Sequence, residues 1–102
     1  MIRAELTRVQ NGELHSCIIS GHSGFAPKGK DIVCAAVSIL ARTALGVLRG
    51  QSGIELKTDS AERGELYFTV EKKQDGCSDI LSYTADFLEK GFGSLQKEYP
   101  AY

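Results

Sequence analysis

Three things are scarce in this sequence: net charge, paired cysteines and uninterrupted apolar length. The formal net charge is −1, so the chain exerts no general electrostatic pull on nucleic acid or on an anionic membrane. Its cysteines are Cys17, Cys34 and Cys77, an odd number with no CxxC pair. A secreted disulfide framework uses an even number, so a reducing cytoplasm is the expected setting. The opening Met-Ile-Arg-Ala-Glu-Leu-Thr-Arg alternates with charges and lacks the apolar core of a signal peptide. The longest apolar stretch, Ile32 to Leu48, is interrupted by Arg42 and carries Ser38 and Thr43. It reads as a buried helix rather than a membrane span. Internal repeats and low-complexity segments are absent as well.

What is there is an ordinary globular balance, 42% hydrophobic and 25% charged over 102 residues. That length supports one core, so residues 1–102 are expected to form a single domain. Residues 2–9 alternate, with Ile2, Ala4 and Leu6 on one side, which predicts a half-buried strand. Gln10-Asn11-Gly12 follows, and Asn-Gly predicts a hairpin in which both residues take positive φ. A second strand covers about 13–20. Residues 21–30 hold three glycines and a proline and predict a loop. Asp31 is then a good helix cap, opening a helix to about Leu48 that is apolar on nearly every side. One small sheet covers only part of such a helix, so something else must cover the rest. Ile54–Thr58 and Glu65–Glu71 predict two more strands, with Leu66, Phe68 and Val70 on one face and a polar turn between. Ile80, Thr84, Phe87, Leu88, Gly91 and Leu95 lie at helical spacing within about Ser78–Tyr99 and predict a core-facing seam. The expected fold is therefore α+β, in the order β-β-α-β-β-α, a mainly antiparallel sheet with helices packed against it.

The residues with chemical potential cluster at the junction of loop and first helix. A thiol nucleophile works as the thiolate, and a helix start lowers a thiol's pKa through its free N–H groups and dipole. With Asp31 as cap, Cys34 sits in that first turn. His22, between Gly21 and Gly24, can fold back over it as proton acceptor, while the glycines let the backbone turn tightly. The same N–H groups can hold an oxyanion. Ser38 lies one turn beyond Cys34 on the same face. The residues alone leave plainer readings open: a cysteine in an apolar helix is commonly a small buried hydrophobe, and Asp31 can be no more than a cap. Two other functions compete. A glycine-rich loop running into a helix, with Lys28 and Lys30, can bind an anion or an RNA backbone, although it matches no Walker or dinucleotide pattern. His15 and Cys17, two apart on a strand, would share a face and can contribute to a zinc site, although their spacing fits no zinc motif. Cys17 and Cys77 otherwise read as packing or incidental surface residues.

The run Gly21-His22-Ser23-Gly24, Ala26, Gly29 and Asp31-Ile32-Val33-Cys34-Ala35-Ala36-Val37-Ser38 resembles the signature of the bacterial ribosomal-processing cysteine proteases (Prp). The resemblance extends over length and element order. Only Ser23 departs, standing where another small residue such as alanine is expected. The resemblance implies a small cytoplasmic cysteine endopeptidase, homodimeric, that removes the N-terminal extension of large-subunit ribosomal protein twenty-seven and so serves ribosome assembly. It implies His22 as catalytic base and Cys34 as nucleophile, with Gly21, Asp31 and Ser38 at further motif positions. Gly24, Phe25, Ala26, Pro27, Lys28 and Gly29 would form a loop that orders over an aromatic-rich substrate peptide. It implies no cofactor, no metal, no direct nucleic-acid partner and no membrane.

Overall fold

In the computed structural model, residues 3–20, 28–59 and 66–98 are described; for residues 28–32 and 34 this extends to the backbone only. The order is β1 (Arg3–Arg8), β2 (Leu14–Ser20), α1 (Lys28–Arg49), β3 (Ile54–Asp59), β4 (Leu66–Lys73) and α2 (Ser78–Glu98). The expected α+β succession holds. The strands form one sheet in the order β1-β2-β4-β3, every neighbouring pair antiparallel.

The hairpin between β1 and β2 closes differently from the Asn-Gly expectation. The Gly12 N–H donates to the Val9 carbonyl at 2.9 Å, and the Val9 N–H donates to the Glu13 carbonyl at 2.9 Å. Gly12 has φ +92°, and among the described residues no non-glycine has positive φ. This is a three-residue connection, a turn followed by a left-handed glycine, so Asn11 does not take the strained conformation. The Asn11 side chain instead accepts from the Glu13 N–H at 3.2 Å. Arg8 ties the hairpin down: its Nε donates to the Gly12 carbonyl at 2.8 Å, and its guanidinium pairs with Asp86 of α2 at 2.8 Å.

One face of the sheet carries the core. Cys17 pairs with Phe68 and Ile19 with Leu66 across the two central strands, and all four are buried. Both helices touch β2 and pack on each other, so they cover this same face. Leu48, Ala41 and Val37 from α1 meet Leu81, Ala85 and Leu88 from α2 in the same buried cluster. Phe87, placed by spacing in the α2 seam, is 43% exposed instead, while Leu81 and Ala85 occupy the core. The seam is rotated slightly from the expected one.

The connections fix the helix directions. α1 ends just before Ile54, and Ile54 pairs with Lys73, just before α2 begins. The C-terminus of α1 and the N-terminus of α2 therefore share one end of the sheet, and the helices run antiparallel. That end is pinned by Glu13, buried and paired with Lys73. The Lys73 hydrogen bond, then one from Ser78, holds the Glu13 carboxyl below the usual carboxylate range. The opposite end, where β2 finishes and α1 starts, has no such clasp among the described residues.

Candidate active site

The open end is built from the C-terminus of β2, the N-termini of β1 and β4, the C-terminus of β3 and the start of α1. Ser20, the last residue of β2, pairs with Arg3; Ile18 pairs with Tyr67, and Tyr67 with Asp59. The chain leaves Ser20 two positions before His22 and re-enters as α1 at Lys28. The topology alone thus carries the end of β2 and the first turns of α1 to one end of the sheet. Tyr67 and Asp59, which sequence pattern did not single out, reach the same end through strand register.

Gly21, His22, Gly24, Phe25, Ala26 and Pro27 lie outside the described residues, as does the side chain of Cys34. The backbone of Cys34 is helical, on α1. Ser38 follows one turn later and is half-buried. The neighbouring Val33 and Val37 are buried against the core, which fixes the rotation of this part of the helix.

Two expectations require correction. The helix begins at Lys28, not at Asp31, so Asp31 lies within it and is not its cap. Lys28, Gly29 and Lys30 are helical as well and belong to no loop. Cys34 is then the seventh residue of α1, roughly 9 Å along the axis from the first. Helix-start effects fade within the first turn, and backbone N–H groups this far in are committed to carbonyls four residues back. Thiol activation and oxyanion binding at Cys34 therefore cannot be credited to a helix start. The anion-site reading weakens for the same reason, since Lys28 and Lys30 do not line a glycine loop.

The metal reading fails on geometry. Between Thr7 opposite Ser16 and Arg8 opposite Leu14, the register skips His15. This bulge breaks the alternation: His15 is exposed and Cys17 is fully buried. The two do not share a face. Burial also pushes the Cys17 thiol up to about 12, so it is protonated and inert at neutral pH. Among the described residues no group of three His, Cys, Asp or Glu side chains can hold a metal ion, and no helix is long and apolar enough to cross a membrane.

The whole chain, residues 1–102, matches the family model described as "Cysteine protease Prp". The chain belongs to this family. It is a cysteine protease, which takes a thiol rather than a metal or an anion cradle as its working group. Solved structures agree in fold. The essential ribosomal processing protease Prp of Staphylococcus aureus, in complex with a substrate peptide, is 19% identical with a TM-score of 0.77, covering 98% of this chain and 92% of that one. SMU.848 of Streptococcus mutans is 26% identical with a TM-score of 0.78, covering 100% of this chain and 89% of that one. No curated protein sequence matches.

Proposed function

We propose that this protease removes the N-terminal extension of large-subunit ribosomal protein twenty-seven in the cytoplasm, with Cys34 as nucleophile and His22 as base. The observation that carries this reading is the motif between Gly21 and Ser38 inside a chain that matches the Prp family from end to end. The S. aureus relative, a ribosomal processing protease seen with a substrate peptide, supports the substrate class. Removing the helix start as activator leaves His22 as the group that makes the thiolate. His22 takes the Cys34 proton, the sulfur attacks the scissile carbonyl, and the imidazolium returns the proton to the leaving amine. Water, deprotonated by the same imidazole, then releases the acyl-enzyme. Asp31 and Ser38, on the same helix as Cys34, are proposed as supporting residues, and Gly21 as the hinge that lets His22 approach. Residues 24–29 are proposed to contact the substrate. The enzyme is further proposed to work as a homodimer, without cofactor.

The test is incubation with the host's own precursor, with products read by mass spectrometry. Wild type should release the extension at one bond. Cys34→Ser and His22→Ala should each abolish release while keeping the wild-type melting temperature. Retained cleavage in either variant removes that residue from the mechanism, and an intact precursor with wild-type enzyme removes the substrate.

A further inference from the structure

The sheet has two edges, and they stand differently toward the helix that bears Cys34. α2 lies over β1 and β2, and α1 lies over β2 and β3. In the strand order β1-β2-β4-β3, β1 is therefore the edge under α2 and β3 the edge beside α1. The rotation of α1 agrees. Leu40 lies against Gly91 of α2, where a Cβ would stand 2.9 Å from the Leu40 Cδ1. Arg49 is half a turn round the axis from Leu40, at about 100° per residue. Its Nη2 donates to the Thr58 hydroxyl of β3 at 3.2 Å. Position 34 stands about 60° round the axis from Arg49 and about 120° from Leu40, which places Cys34 on the β3 side of α1.

α1 does not cover β3 along its whole length. Thr58 pairs with the buried Phe68, so Thr58 and Leu56 belong to the helix-facing side of β3. Along that side Ile54 is buried, Leu56 half-buried and Thr58 exposed. On the neighbouring β4, Phe68 and Leu66 stay buried toward the same end. A gap therefore opens between α1 and the second half of β3, widening toward the open end where α1 starts. The strand beside this gap is fit for pairing. Its register with β4 shifts between Glu55 and Leu56, then runs without a skip through Leu56–Asp59. A bulge and charges such as Glu55 and Lys57 keep an edge from pairing at large; the regular stretch is confined to the residues beside the gap. Its outer side has no strand partner among the described residues, and its length, roughly 13 Å, takes about four residues of an extended chain.

We infer that the extended substrate chain adds to the sheet as a fifth strand along Leu56–Asp59, the free edge of β3, and crosses the gap from there to Cys34. Strand addition takes affinity from main-chain hydrogen bonds and specificity from alternate side chains. It also fixes the chain in one register, which sets one peptide bond at the thiol. The inference rests on the peptidase reading above. The probe is a synthetic peptide spanning the precursor's extension and the first residues beyond it, bound to the Cys34→Ala chain so that it stays intact. On binding, amide exchange at the outward N–H groups of residues 56–59 should slow several-fold, while residues 3–7 of β1 keep their rates. A second measurement isolates the edge. Alternate residues of an antiparallel edge strand turn their N–H groups outward, so one of Lys57→Pro and Thr58→Pro removes only an outward donor and is tolerated. Whichever keeps the parent melting temperature should bind the peptide about fivefold more weakly, for one lost main-chain hydrogen bond. Should neither keep it, the exchange result decides alone. Peptide bound with protection at β1, or at neither edge, overturns strand addition to β3 and leaves the peptidase reading standing, as does unchanged affinity in the tolerated proline variant. A peptide that does not bind at all overturns the substrate reading, and strand addition with it.

Discussion

Asp31 gives the sharpest test of where the helix bearing Cys34 starts. If it capped α1, Asp31→Ala would cost about 1 kcal/mol, the usual loss when a capping side chain is truncated. In a domain of this size that lowers the melting temperature by roughly 4–8 °C. The structure places Asp31 as the fourth residue of α1 instead. There the substitution trades two small quantities. Alanine gains about 0.7 kcal/mol of helix propensity over aspartate. The lost carboxylate near the helix start gives back about 0.3–1 kcal/mol of dipole stabilisation. The net lies within about 0.4 kcal/mol of zero, a melting shift of no more than about 3 °C by the same conversion. Thermal melts followed at 222 nm, run beside precursor cleavage, separate the outcomes. An unchanged melt with reduced cleavage supports the proposed role at the site. An unchanged melt with full cleavage leaves Asp31 without one. A drop of about 1 kcal/mol or more would refute the helix start at Lys28 and return Asp31 to the cap position.

Three further predictions concern the scaffold. Cys17, its thiol pushed up to about 12 by burial, should resist iodoacetamide at neutral pH in the native protein and label only on unfolding; native labelling of Cys17 would show that its strand opens locally. Glu13 is held below its ordinary value of 4.5 by Lys73 and Ser78, so its carboxylate stabilises the fold above that value, and this stability is lost as pH falls through the lowered folded pKa. Glu13→Gln should therefore destabilise at pH 7 and flatten the acid limb of the stability curve; an acid limb as steep as wild type would remove Glu13 as its origin. A Cβ on Gly53 would lie 2.8 Å from the Cys77 sulfur, so Gly53→Ala should lower the melting temperature, and adding Cys77→Ala should restore most of the loss. Equal melts for the single and double variants would show that the sulfur is not the obstacle.

The strands were legible because their signal is local. Leu66, Phe68 and Val70 repeat every second residue, and that repeat alone assigns them to the core face, where Leu66 and Phe68 are buried and Val70 is partly buried against them. The bulge at His15 was not legible, because it depends on how β2 registers against β1, and a skipped residue leaves no mark on composition. It decided a functional question nonetheless, by sending His15 to solvent and Cys17 to the core. Phe87 shows the same limit on α2. Helical spacing identifies an apolar stripe but not which edge of it a neighbouring element covers.

At the site the competition was between two start signals. Asp31 is a good cap, and Gly29 weakens a helix by about 1 kcal/mol relative to alanine, so the sequence invited a start at Asp31. Pro27 was the opposing signal: proline favours the beginning of a helix, where its missing N–H costs nothing. The structure sides with the earlier start, and the chemistry changes with it. A thiol in the second turn sits beyond the strongest part of the helix dipole and among N–H groups already bonded. The cysteine that the motif marks then takes no activation from the helix start, which is why His22 is the proposed base. A helix-start mechanism would keep Cys34 a thiolate without the histidine, and its alkylation rate would then be flat near neutral pH. With His22 as the proposed base, His22→Ala should slow alkylation of Cys34 by iodoacetamide near neutral pH, and the rate should recover as pH rises toward the ordinary thiol range near 8.5. Measuring the alkylation rate of Cys34 in that variant against pH distinguishes the two. A flat profile with fast alkylation would restore the helix start as the source of the thiolate.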